Sequence, residues 1–353
     1  MKHLRRHPML ALWVLGVTAG VFASPAGSSA KFTQAVEQLI PIAKAEGEVS
    51  LFVGSPKYTA AEAARFSRAF EGVYGIPMKV NLASLGPHPE VVRRLREEDR
   101  VGVKPAVDTI STTVYFLESL HKAGLVEPVP WKDLGVRHQD LIPKLDAVDL
   151  RTNVRGVIYN TKLVKRSEAP RKFEDLLDPK WKGKIIAPAF PTGYAYIALV
   201  MGEEPALNLV KRLVEDQKMA LAPTYSDIGA RVASGEFLIG YGFTAGPDKM
   251  RGAPVENAPM KVAGFREVAA VLKKASHPAA AKLLAHFITT IPEGTKVMYE
   301  IMNWGKATTP GTEAYEIAHG GGLVLSNDLG NEIEWETKEH ARMTIRFRKV
   351  LGL

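Results

Sequence analysis

The chain contains no cysteine, and that absence removes whole classes of chemistry. Disulfide frameworks, thiolate zinc sites, iron–sulfur clusters, cysteine nucleophiles and a lipidated N-terminal cysteine are all excluded. Long apolar runs are missing too. Past the first thirty residues no segment approaches eighteen uninterrupted apolar residues, so nothing there reads as membrane-spanning. No Gly-x-Ser-x-Gly motif occurs, so His319-Gly320-Gly321-Gly322, which imitates an esterase oxyanion loop, has no nucleophile to serve and reads as a surface loop. No phosphate-loop signature ends in Gly-Lys-Ser/Thr. Gly240-Tyr241-Gly242-Phe243-Thr244-Ala245 resembles a relaxed dinucleotide fingerprint but runs into Gly246-Pro247 instead of a helix start. The nine histidines never pair at metal-binding helical spacing. Nothing assembles a catalytic site, and the reading is of a protein that is not an enzyme, with no cofactor and no metal.

What is present is a chain of 353 residues, 46% apolar and 24% charged, long enough for two domains with their own cores and too apolar for long disorder. Its formal net charge is +8, which taken alone suits a nucleic-acid binder, a membrane-surface protein or a binder of anions. The placement of the charges decides among them. Lys2, Arg5 and Arg6 precede an apolar stretch from Met9 to Ala23, and small residues follow. This is the pattern of a secretory signal over residues 1–30, with cleavage after Ala23 or Ala30. Its removal takes three of the eight excess charges. Arg342, Arg346, Arg348 and Lys349 close a C-terminal helix that opens with Glu332, Glu334, Glu336 and Glu339, an order that complements the helix dipole and reads as a solvated helix end. Export and dispersed charge argue against nucleic acid. The expected location is periplasmic.

The mature part alternates helix and strand patterns, the signature of α/β layers with largely parallel sheets. Strands are expected at 48–53, 77–82, 106–111, 156–160, 184–188, 237–241 and 260–272. Helices are expected at 32–45, after Thr59, after Pro89 and after Ser111, then near 193–201, 205–216, 226–234, 278–289 and 331–351. Thr59-Ala60-Ala61-Glu62 is a capping box. Small hydroxyl and glycine residues recur where strands end and helices begin: Gly54-Ser55, Ser84, Ser111-Thr112-Thr113 and Pro191-Thr192-Gly193. Open α/β sheets bind ligands at such ends, where helix N-termini offer free amides to oxyanions. Simple helix capping is the better explanation of any single one. Their recurrence in two separate parts of the chain points to a cleft.

The run Gly156-Val157-Ile158-Tyr159-Asn160-Thr161-Lys162-Leu163-Val164, followed by Ala169-Pro170 and by the stretch from Phe173 through Leu177-Asp178-Pro179-Lys180-Trp181 to Ile185, is specific. It resembles the extracellular solute-binding proteins of ABC importers, in particular the ferric-iron-binding type. Val232-Ala233-Ser234-Gly235-Glu236, Gly252-Ala253-Pro254-Val255 and His277-Pro278-Ala279 extend the resemblance over nearly the whole mature chain. It implies a two-lobed periplasmic-binding-protein-like type II fold with a hinge. Lobe one would be 31–154 with 258–298 and lobe two 155–257 with 299–353. It further implies closure around a small solute, an ABC permease as membrane partner, and a monomer. A ligand-sensor accessory to a receptor kinase is the alternative role on the same frame, and an exported hydrolase a more distant one.

In ferric-binding members iron is held by a histidine, a glutamate and two adjacent tyrosines. The matching stretches here are Gly54-Ser55-Pro56-Lys57, the neighbourhood of Thr113, and Thr244-Ala245-Gly246. None supplies the anionic oxygens that ferric iron requires. The family's companion anion turn is matched by Thr192-Gly193-Tyr194, with a further contact near Tyr225. The expected ligand is therefore an oxyanion-bearing small molecule, and ferric iron or an iron chelate is the alternative. Ser55, Ser84, Thr112, Thr113, Thr192, Gly193, Tyr194, Tyr225 and Tyr241 are the candidate site residues.

Overall fold

The computed structural model describes residues 32–54 and 57–353; the export segment and Ser55 fall outside the described residues. Twelve strands are named in chain order: β1 Glu48–Phe52, β2 Lys79–Ala83, β3 Thr109–Thr113, β4 Leu141–Ile142, β5 Ala147–Arg155, β6 Val157–Asn160, β7 Ile185–Pro188, β8 Ala220–Ala222, β9 Ile239–Tyr241, β10 Val255–Asn257, β11 Val262–Val271 and β12 Leu323–Leu325. They form two sheets. One has the order β2-β1-β3-β11-β5-β4, with β12 also paired to β11; the other has the order β10-β6-β9-β7-β8. Helices cover both, giving a two-lobed α/β molecule.

Pairing is mixed. β1 runs parallel to β2 and β3, β7 to β8 and β9, and β11 to β12; β11 runs antiparallel to β3 and β5, β4 to β5, and β6 to β9 and β10. The antiparallel pairs have a topological cause. β5 carries the chain toward the second sheet, entered at β6 after Gly156, and β11 brings it back, so the two must run in opposite senses.

Local sequence explains much of the framework. Thr59 Oγ1 accepts from the Glu62 amide at 3.2 Å and Glu62 Oε2 accepts from the Thr59 amide at 2.6 Å, completing the expected capping box of the helix Ala60–Tyr74. That helix turns Phe66 and Phe70 inward, where they meet Phe287 of the helix Pro278–Thr290 edge-on at 5.8 and 5.4 Å. β5 was not among the expected strands. Its alternation, with Val148, Leu150 and Val154 inward and Arg151, Asn153 and Arg155 partly exposed, is a half-buried strand pattern interrupted by charge. The C-terminal helix is also more than expected: an α turn at Glu332–Glu334 passes through a π turn, Trp335–Glu339, into His340–Leu351. Its bases are not merely solvated. Arg342 and Arg346 pair with Glu203, the former at 2.6 Å, and the Arg342 hydrogen bond brings the Glu203 carboxyl down to about 2.

Phe287 is fully buried between two aromatic partners. Phe287→Ala should lower the unfolding free energy by about 3–5 kcal/mol in urea titration followed by far-UV circular dichroism, because the ring's burial is lost and a cavity remains.

Candidate functional site

β5 and β11 together build the centre of the candidate site. Residues directly opposite in an antiparallel pair share a face. The register sets Arg151 against Glu267, Asn153 against Phe265 and Arg155 against Ala263, and it places Thr113 of β3 against Glu267 from the other side. A bulge between Glu267 and Val268 shifts the register just beyond this row.

At its lobe-one end the row is charge-balanced. Glu267 is 4% exposed and accepts from Arg151 Nε at 2.7 Å and from Asn153 Nδ2 at 2.8 Å. Burial alone would raise its carboxyl, but Arg151, His88 and these hydrogen bonds outweigh it and hold Glu267 below the usual range. The Arg151 guanidinium lies 4.2 Å from the Trp304 ring centre. His88, at the start of the helix His88–Arg100, faces the same pair. Its Nδ1 is 2.9 Å from Thr112 Oγ1 and its ring stacks on Phe116. Burial lowers His88, with Glu267 opposing and Arg151 acting the same way as burial. Tyr58 also borders this end, and burial pushes its phenol up to about 12.

The lobe-two end is charge-unbalanced. Arg155 donates from one terminal nitrogen to the Gly242 carbonyl at 3.2 Å, while its Nε has no hydrogen-bond partner. Among the described residues no carboxylate lies within ion-pair distance of it. Aromatic rings lie around the guanidinium, Phe265 at 5.0 Å, Tyr225 at 5.1 Å and Tyr196 at 6.0 Å from its central carbon. Burial acts against the charge, but the neighbouring phenols, Tyr225 first, and Glu267 outweigh it and raise the guanidinium further. Rings take up its faces, so the N–H edge is what remains to make hydrogen bonds, the geometry suited to a carboxylate or phosphate. The Tyr225 hydroxyl is buried with no partner, at the start of the helix Tyr225–Ser234 and edge-on to Phe190.

Two glycines make this approach possible. A Cβ on Gly193 would come 3.3 Å from the Tyr225 hydroxyl. Gly242 has φ +118°, and a Cβ there would press on the Tyr225 ring at 2.8 Å. A hollow of about 630 Å³ lined by residues such as Arg171, Trp181 and Arg212 lies around the segment that enters β7, at the opposite end of that strand from Gly193.

A profile of the bacterial extracellular solute-binding proteins matches residues 103–299. The chain belongs to that family. It is 27% identical over 195 residues to the major ferric iron-binding protein of Neisseria meningitidis, a match covering 53% of this chain and 56% of that one, so the chain spans about half the length of the curated relatives it matches. Among solved structures it resembles the periplasmic binding protein AfuA of Actinobacillus pleuropneumoniae with fructose-6-phosphate bound (TM-score 0.64, 19% identity, 87% of this chain and 99% of that one). It also resembles iron-bound HitA of Pseudomonas aeruginosa (TM-score 0.61, 18% identity, 87% and 99%). These likenesses establish the two-lobed fold of the family.

The candidate residues divide on this fold. Thr113 lies beside Glu267 and Thr112 contacts His88, while neither acts as the side-chain cap that its position before a helix suggested. Ser84 donates its hydroxyl to the Gly54 carbonyl at 3.0 Å. Gly193 and Tyr225 meet beside Arg155. Three other candidates are placed differently. Tyr194 is 1% exposed and donates to the Pro188 carbonyl at 2.8 Å, and Tyr241 is equally enclosed and donates to the Gly193 carbonyl at 2.8 Å. Both phenols are structural ties in the core. The Thr192 side chain points to solvent without capping its short 3-10 turn, while its carbonyl accepts from His340 Nε2 at 2.8 Å. Arg155, Arg151, Glu267 and His88 were not among the candidates. The charged alternation of β5 was the available signal for the two arginines.

The contrast between the phenols is testable. Tyr241→Phe removes the hydrogen bond to the Gly193 carbonyl and should cost about 1 kcal/mol. Tyr225→Phe removes a hydroxyl that has no partner and should leave stability unchanged or slightly raised. Thermal melts of the two variants beside the parent protein measure both effects.

Proposed function

We propose that the protein is the exported receptor of an ABC importer, capturing a small oxyanion-bearing solute between its lobes and delivering it to a membrane permease. The observation that carries the proposal is Arg155: a cation without a counter-ion, faced by aromatic rings and set beside an unpartnered phenol and a close-packed glycine turn. Arg155 is partly exposed but its Nε is buried, and a charge so enclosed is normally paired. An anionic group of the solute would be the missing partner, held on the guanidinium edge with the Tyr225 hydroxyl and the Gly193 turn beside it. Thr113, Thr112, Ser84 and His88 would meet the rest of the solute from lobe one, with Ser55 nearby in sequence.

The relatives that carry iron motivate a second reading, ferric iron or an iron chelate as the solute. The local chemistry weighs against it. Tyr241 commits its hydroxyl to a backbone carbonyl, and among the described residues no group of three or more His, Cys, Asp or Glu side chains gathers where a metal would sit. The export signal and the family's extracellular character support a periplasmic location and a permease partner in preference to a cytoplasmic role.

Isothermal titration against sulfate, phosphate, citrate and sugar phosphates, beside ferric citrate, tests the proposal. An organic or inorganic oxyanion should bind without iron. Arg155→Met should weaken that binding at least a hundredfold, the cost of removing the charge-assisted pair. Tight ferric binding with a visible tyrosinate charge-transfer band would overturn it.

A further inference from the structure

Behind Arg155 stands a buried acid outside the site as described so far. Glu336 is 2% exposed and lies in the π turn Trp335–Glu339 of the C-terminal helix. Its two carboxyl oxygens are engaged by hydroxyls from separate elements: Tyr196 Oη at 2.8 Å and Ser326 Oγ at 2.6 Å. Tyr196 is the same ring that flanks Arg155, and it stacks on Phe265 at 4.7 Å. The acid is thus one side chain removed from the unpaired guanidinium. π turns are rare and occur frequently at functional sites, and this one carries a carboxyl that meets Tyr196 behind Arg155.

The surroundings favour two states for that carboxyl. Burial raises Glu336 to about 7, against the opposing hydrogen bonds from Ser326 and Tyr196 and the attraction of Arg155, while Glu332 adds repulsion. Other charged groups lie around it. Glu332 is paired with Arg266. His340, against the Tyr196 ring, is lowered by burial to about 4 and stays neutral. The helix Val114–Lys122, packed on the same turn, has Glu118 paired with Lys122 and His121 3.1 Å from Asp146. Asp149, which senses Arg266 and Glu332 from the other face of β5, is raised by burial to about 6 and is the one neighbouring acid with an overlapping range.

We propose that Glu336 is a protonation switch for solute affinity, resting on the oxyanion reading above: neutral, it leaves the Arg155 charge to the solute, and ionised, it competes for that charge through the Tyr196 contact. Affinity for an anion is then highest in mildly acidic medium and falls as the medium becomes alkaline. Glu336 touches no solute and acts as a positioning residue through Tyr196 and the local field.

Sulfate is the suitable probe, because its own charge is constant over the range. Isothermal titration of the full mature protein with sodium sulfate at pH 5.5 and pH 8.5, in parent, Glu336→Gln and Arg155→Met proteins, reads the switch. The parent should bind on the order of tenfold more weakly at pH 8.5, the size expected for one additional charge near a partly screened pair. Glu336→Gln, which keeps the shape and the hydrogen-bonding capacity, should hold sulfate equally at both values, and any remaining slope belongs to Asp149. Folding stability gives a second readout without solute. An unfolded glutamate releases its proton near pH 4–5 and the folded one near 7, so stability falls as pH rises through that interval and levels off above it. Glu336→Gln should flatten this decline in melts of the solute-free protein. Sulfate binding that is lost in Arg155→Met, with a pH slope as steep in Glu336→Gln as in the parent, overturns the switch and leaves the oxyanion reading standing. No sulfate binding by the parent at pH 5.5, or equal binding by Arg155→Met, overturns both.

Discussion

The antiparallel pairing of β5 with β11 is the constraint on which the rest of the molecule depends. These two strands join the lobes, and their register brings Arg151, Asn153 and Arg155 onto one face with Glu267 and Phe265. A slip of one residue would turn every one of these side chains to the opposite face. Pairing on both edges of β11, with β3 on one side and β5 on the other, guards against such a slip. The helix Pro278–Thr290 covers part of the same sheet with a nearly continuous apolar surface. β5 and β11 thus carry the chain between the two sheets while their ladder holds the row of side chains in register.

Charge along that ribbon is distributed unequally, and the inequality is what gives the site a polarity. Arg151 has Glu267 and Asn153 around it, so the lobe-one end offers hydrogen bonds with no free charge. Arg155, two pleats away, has carbonyl and ring neighbours only. Leaving a guanidinium without a counter-ion costs desolvation energy that a structural role would not repay, since a neutral side chain could fill the same space. The net charge of the chain is a poor guide to this. Many basic side chains at the surface, such as Arg342 and Arg346 on Glu203, are already paired. One unpaired cation in a ring of aromatics carries more information about a ligand than the whole excess of positive charge.

The tyrosines show how the same residue type divides by context. Tyr194 and Tyr241 lie near the strand ends where ligands gather in α/β folds, yet each hydroxyl donates to a backbone carbonyl. Tyr225, in the same neighbourhood, has a hydroxyl left over. No spacing in the sequence distinguishes these three, because the difference is set by which carbonyl lies within reach after folding.

Local patterns in the sequence were enough to define many helix starts, most of the strands and the family, because capping, hydrophobic periodicity and runs such as Phe173-Glu174-Asp175-Leu176-Leu177-Asp178-Pro179 act over a few residues; the helices Pro292–Met302 and Glu313–Gly320 were not read. Gly193 was marked by its strand-to-helix junction and Tyr225 by the resemblance to the family, and the two meet beside Arg155. Tertiary structure alone decided that Arg155 is unpaired, that Glu267 answers Arg151 from more than a hundred positions away, and that Glu336 reaches Tyr196 across a separation of 140. Those facts depend on strand register and on the π turn that aims Glu336, and both are products of long-range packing, which no short window of sequence encodes.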